Sequence, residues 1–271
     1  IEKFKTTTSI SAINKIITTL LIFLLVRTHS DLWLYTTIIA VGTILNNVVY
    51  WVILNKYCRF TLPDIQNVKK HLKSLLILFI PVIAVNIYKY IDKVMLGAMM
   101  DVTEVGIFEA AEKLTNIPIG FISAVGTVML PRISNLISQK KSNDIIRYNR
   151  ISLNLVMFLS YGMTFGLIGI SDVFVPLFYG DEFTSSSIVL VYLSPCMLFV
   201  SWANVIRTQY LLPRKKDTLF CISVIAGAIV NVISNIILIP QYGAIGAAIS
   251  TLFAEAFVCL LQSIFANKDM K

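Results

Sequence analysis

The chain has 271 residues, 56% of them hydrophobic and 14% charged, with a formal net charge of +8. A soluble domain carries about a quarter charged residues, so a single water-facing core is excluded, and apolar runs of about 18 residues or more read as membrane spans. The basic residues sit in short connections and lack the interleaved aromatic platform of single-strand binders, so membrane topology explains them and nucleic-acid binding does not.

The spans fall at 7–26, 32–54, 74–99, 104–130, 151–178, 185–211, 218–239 and 244–266. Each is about 20 residues or longer, enough to cross a hydrocarbon core of about 30 Å. Backbone groups must satisfy one another there, which selects helices, and the runs are too long for barrel strands. The expected fold is therefore an all-α membrane protein, a polytopic bundle of about eight transmembrane helices. The chain opens at Ile1 with no signal-peptide order of segments, which reads as the middle of a longer chain.

The first connection, Thr28–Asp31, is short and only Arg27 borders it. It belongs with Asp101–Thr103, Gly180–Glu182 and Gln241–Gly243. These alternate with basic connections carrying Lys56, Arg59 and Lys69–Lys73, then Arg132–Arg150, then Arg214–Lys216, and with the basic end at Lys268 and Lys271. Positive segments stay cytoplasmic, which places both ends of the chain on that side. The stretches Lys56–Lys73 and Ser138–Arg150 are expected to be surface-lying cytoplasmic helices. No loop is long enough for a catalytic domain. Pro81, Pro118 and Pro195 fall inside spans, where they bend or hinge a helix.

The third span carries Asn86, Lys89, Asp92 and Lys93 within two turns. Each charge costs about 2.5–3.5 kcal/mol at a helix centre, so none reasonably faces lipid. The fourth span carries Gly106, Glu109, Lys113, Asn116 and Gly120 in a 3-4-3-4 stripe with Glu112 beside it, and Glu109 and Lys113 form an i,i+4 pair. Lys93 and Glu109 both lie roughly 9 Å below the intervening hairpin, so the two stripes can meet. Two explanations stand: a structural lock between these helices, or the wall of a water-filled cavity for a polar cargo. Lys15 either faces the same cavity or snorkels to the surface. Glu255 sits near the middle of the last span, with Lys15 or Arg207 as candidate partners. Ser223, Gly227, Asn231 and Ser234, with Asn235 beside them, form a stripe suited to close packing and interhelical hydrogen bonds, and Gly162 with Gly166 reads the same way.

The four cysteines make no CxxC pair, and His29 and His71 lie far apart, so no metal site and no cofactor is expected. No P-loop, GxSxG, HExxH or dinucleotide fingerprint is present.

Tyr88-Lys-Tyr-Ile-Asp-Lys-Val-Met-Leu-Gly97, Val105–Lys113, Gly126–Arg132, Gln209–Pro213 and Asn235–Ala248 are similar, in this order, to segments of bacterial polysaccharide flippases, the Wzx group. That resemblance implies an exporter-type fold of two six-helix lobes around a central cavity. It implies that 1–56 holds the last two transmembrane helices of an N-terminal lobe, 57–73 a cytoplasmic amphipathic linker and 74–267 a six-helix C-terminal lobe. About four helices would precede them. The implied activity is translocation of an undecaprenyl-diphosphate-linked oligosaccharide across the cytoplasmic membrane by alternating access, which makes the chain a transporter and not an enzyme. Glycan polymerase and glycosyltransferases of the same pathway would be its partners. Within that activity the local pattern, and no family motif, nominates Lys89 and Lys93 for diphosphate or sugar contact. Lys113, Asn116 and Lys15 would extend the cavity wall, while Asp92, Glu109, Glu112 and Glu255 would orient the lysines or couple a proton or sodium gradient. The competing expectations are a drug or organic-cation antiporter of the same superfamily, a flippase for the peptidoglycan precursor, and a membrane-embedded polymerase or ligase. The last would need a larger external loop than this chain has.

Overall fold

A computed structural model describes residues 4–54, 86 and 90–268. Lys89, Pro81 and the connection Lys56–Lys73 lie outside the described residues. The chain divides into two compact units, 1–72 and 73–271.

In the first unit, α1 (Phe4–Leu25) and α2 (Leu32–Leu54) form a helical hairpin. Both are long and apolar enough to cross a bilayer, and Ile16, Phe23 and Trp51 stand exposed on them, as lipid-facing side chains do. A Cβ at Gly42 would collide with the Thr18 side chain, so the missing side chain lets the two helices approach. A hydroxyl hydrogen bond of 2.6 Å joins Ser11 to Tyr50. At the turn, the Asp31 carboxylate accepts from the backbone N–H groups of Arg27 at 3.0 Å and Thr28 at 2.9 Å, and these bonds hold its carboxyl below the usual range. Lys15 lies on α1 with its side chain exposed.

The second unit begins, among the described residues, with α3 (90–99) and continues with α4 (Val102–Ser138) and α5 (Ser142–Tyr179). Asp101 caps α4 by accepting from the Glu104 N–H at 2.9 Å. At 1.5 Å per residue α4 and α5 are each about 55 Å long, well beyond a hydrocarbon core of about 30 Å. Their basic ends are joined by the tight turn at Gln139–Lys141, where Lys140 takes a positive φ of 57°. The expected surface-lying helix at Ser138–Arg150 is therefore corrected. Residues 142–150 are the first turns of α5 itself. Packing explains the difference: Arg132 on α4 donates to the Tyr148 hydroxyl at 2.9 Å and stacks on its ring, while Ile133, Leu136 and Ile145 bury together.

α6 (Ser185–Leu193) and α7 (Cys196–Ile206) are one crossing broken at Ser194–Pro195. Thr164 of α5 donates to the Ser194 carbonyl at this break, the kind of neighbour contact that lets proline persist in a membrane helix. The crossing ends in a π-helical turn at Arg207–Leu211.

α8 (Asp217–Lys268) folds back on itself at Gly243, whose φ of 55° and ψ of −131° are not helical. Ser223 pairs with Gln262 at 3.0 Å, and a Cβ on Gly227 would strike Val258, so the arms run antiparallel. The small and polar stripe thus packs the seventh expected span on the eighth. Glu104 of α4 latches the fold of α8: its carboxylate accepts from the Ala244 N–H at 2.6 Å, and any side chain at Gly243 would meet that carboxylate. Both the positive φ and this close approach require glycine there.

Among the described residues six helical stretches have the length and apolarity of membrane spans, and α8 supplies two crossings. The third expected span is described only over 86 and 90–99.

Candidate functional site

Two adjacent residues of α3 face different neighbours. On a helix, successive side chains diverge by about 100°, and here Lys93 turns to α4 while Asp92 turns to α8. Lys93 Nζ lies 2.7 Å from Glu112 Oε2, with side chains 20% and 25% exposed. Asp92 is 5% exposed and makes no ion pair with a lysine among the described residues. Its Oδ1 accepts from the amides of Asn231 at 2.9 Å and Asn235 at 2.7 Å, and its Oδ2 from the Thr251 hydroxyl at 2.8 Å. Asn235 also donates to Asn231 Oδ1 at 3.2 Å, while its own Oδ1 is buried without a partner. A carboxylate held this way by neutral donors, with spare amide oxygen beside it, is an arrangement that can take up a proton or a small cation.

Asp92 and Thr251 of this cluster line a cavity of about 320 Å³ inside the second unit. Its wall includes Asp92, Glu112, Asn116, Arg207 and Glu255, with Thr115, Ser123, Asn204 and Thr251 adding polar groups. Asn204 donates to Ser123 at 3.0 Å, and a Cβ at Gly126 would strike Asn204 and Thr208, so a glycine lets α4 and α7 close this wall. Arg207 stacks over the Phe220 ring at 4.5 Å. Three carboxylates and one guanidinium line the space, an acidic balance.

The remaining nominated residues fall in different places. Lys113 and Glu109 pair at 3.0 Å on α4, 64% and 40% exposed, outside the cavity wall. Asn116 is exposed and lines the cavity. Lys15 belongs to the other unit, and Lys89 lies outside the described residues. Thr115, Ser123, Asn204 and Thr251 were not singled out by sequence reasoning, because isolated hydroxyls and amides in apolar runs carry no pattern. The i,i+4 pair Asn231 and Asn235 carried a signal: two amides on one helical face match a single buried carboxylate.

The family model described as "Polysaccharide biosynthesis protein" matches residues 1–137. A putative O-antigen transporter of Shigella dysenteriae is 25% identical over 268 residues, 97% of this chain and 66% of the relative. A probable low-salt glycan biosynthesis flippase of Haloferax volcanii is 27% identical over 180 residues, 66% of this chain and 38% of the relative. The solved structure of the lipid II flippase MurJ in an inward closed conformation superposes with a TM-score of 0.80 at 22% identity, over 97% of this chain and 55% of that one. That likeness fixes the fold: a multi-pass helical membrane protein of the MurJ type. The chain spans at most about two thirds of the length of these proteins.

Proposed function

The chain belongs to the polysaccharide biosynthesis protein family, and from that premise we propose that it is part of a flippase for lipid-linked glycans. Its cargo would be an undecaprenyl-diphosphate-linked oligosaccharide repeat unit, moved from the inner to the outer leaflet of the bacterial cytoplasmic membrane. The names of its relatives, an O-antigen transporter and a glycan flippase, support this reading. The observation that carries it is the cavity of about 320 Å³ with charged and amide side chains in helices that cross the bilayer. Sugars and diphosphate cannot enter hydrocarbon unaided, and a hydrated polar wall lowers that barrier while the lipid tail stays outside.

In this scheme residues 74–267 form one lobe and 1–56 the end of another, joined by the linker 57–73, with both ends of the chain and the basic turns cytoplasmic. The exposed face of α4 with Lys113 and Asn116, together with Lys93, contacts the anionic headgroup, and Lys89 and Lys15 are headgroup contacts proposed from the sequence alone. Glu109 and Glu112 orient Lys113 and Lys93 through their ion pairs. Asp92, with Asn231, Asn235 and Thr251, takes a proton or sodium ion, and that binding biases the rocking of the lobes. Glycosyltransferases and a glycan polymerase of the same pathway supply and consume the cargo. The chain acts as a transporter and breaks no covalent bond.

A second reading has one specific support. The acidic balance of the cavity wall suits an organic cation as well as a coupling ion. Deleting the gene separates the two. We expect surface glycan to disappear and the lipid-diphosphate-linked repeat unit to accumulate, both restored by the wild-type gene. Normal surface glycan with heightened sensitivity to cationic drugs would replace the flippase reading by the antiporter.

A further inference from the structure

A second cavity, of about 370 Å³, lies in the same unit between α5, α7 with its π turn, and the end of α8. It occupies the opposite side of α7 from the charged cavity. Val200, Asn204 and Arg207 face the charged space, whereas Trp202, Val205 and Gln209 face this one. A two-residue offset turns a side chain by about 200° around a helix.

Gln209 is the unusual feature. It is 1% exposed, and neither its amide oxygen nor its amide nitrogen has a partner. Its backbone carbonyl, by contrast, accepts from Arg214, which also stacks over Tyr210 at 4.2 Å. The π turn that contains Gln209 is therefore anchored through its backbone while the side chain is left for something else. Asn149 Oδ1 on the α5 side of the cavity is likewise buried without a partner. Buried amides are nearly always paired, and leaving both ends of one unpaired is costly. The space far exceeds the roughly 30 Å³ of a single water.

The rest of the lining narrows the chemistry. Leu153, Val205, Ile206 and Ala266 give an apolar wall, and Arg150 brings a cation from the basic end of α5. An occupant must offer an anion to Arg150, a hydroxyl able to both donate and accept to Gln209, and hydrocarbon to the wall. Trp202, 38% exposed, supplies the amphipathic edge common where lipids meet polar groups. We propose that this cavity binds the headgroup of an anionic glycerophospholipid of the phosphatidylglycerol type, drawn from the leaflet at the basic end of the helices. The site stands apart from the transport reading and holds whether or not the chain carries a glycan.

The test is native mass spectrometry of the full chain in detergent, titrated with phosphatidylglycerol, with phosphatidylethanolamine of the same acyl chains, and with soluble glycerol phosphate. We expect one retained phosphatidylglycerol, bound about tenfold more tightly than phosphatidylethanolamine, with no competition from glycerol phosphate. Gln209→Leu and Arg150→Gln should each reduce that preference by about tenfold. Should Gln209→Leu fail to accumulate, Arg150→Gln decides, because that side chain is exposed. Equal retention of both lipids, a preference untouched by the variants, or binding of glycerol phosphate alone would overturn the proposal.

Discussion

Asp92→Asn is expected to abolish glycan export while the protein still accumulates in the membrane. The asparagine keeps the size of the side chain and one acceptor for the Asn231, Asn235 and Thr251 donors that reach Asp92 at 2.7–2.9 Å. What it removes is the charge, and with it the ability to exchange a proton or a cation. Export should fall at least about tenfold, a loss of at least about 1.4 kcal/mol. Asp92→Ala should act differently. It strands the Asn231 amide at a site 5% exposed, at about 1–3 kcal/mol for a donor left unpaired, while Thr251 keeps the Ala247 carbonyl and Asn235 keeps Asn231 Oδ1. That variant should lose thermal stability in detergent and abundance in cells. Comparing surface glycan with protein level for both variants checks the distinction. Normal export by Asp92→Asn would remove the coupling role and leave Asp92 as a packing acceptor.

Exchanging the charges of the Lys93–Glu112 pair separates a lock from a cargo contact. The pair is 2.7 Å apart and about a quarter exposed or less. Breaking a fully buried pair costs about 3–5 kcal/mol, an exposed pair about 1 or less. Lys93→Ala alone should therefore cost on the order of 1–3 kcal/mol of stability. The double exchange Lys93→Glu with Glu112→Lys restores opposite charges across the same gap and should recover the protein level. It should not recover export, because the cation then stands on the cavity wall of α4 instead of on α3. Recovery of both glycan and protein would show that the pair only ties the helices together.

The spans and the alternation of basic turns are legible in the sequence because the bilayer imposes a length and a composition on every crossing. The fold likeness to the MurJ structure agrees with the helical crossings. The Glu109–Lys113 pair is legible too, since i,i+4 partners are local. Asp92 shows where local reasoning stops. Sequence proximity to Lys89 and Lys93 points to ion pairing, yet its partners stand 139, 143 and 159 residues away. The Glu104 latch on Ala244 is equally non-local. Gln209 is illegible for another reason: its isolation depends on a π turn, which no apolar periodicity announces. Residues 142–150 are helical as expected, but as the first turns of α5 and not as a separate surface-lying helix. Continuation of α5 buries Ile145 against Ile133 and Leu136, a gain a surface-lying helix would forgo.

Transport along this path requires water to reach the polar groups between α4, α7 and α8. Thr115 lines that cavity and is 3% exposed, while Ile229 on the outer face of α8 is 55% exposed. In a chain whose own four cysteines are replaced, Thr115→Cys and Ile229→Cys should be treated in cells with a small, membrane-impermeant thiol reagent. Thr115→Cys should react and Ile229→Cys, bathed in lipid, should not. A Thr115→Cys protein that exports glycan normally yet never reacts would mean a dry seam between these helices, and transport through them would be contradicted.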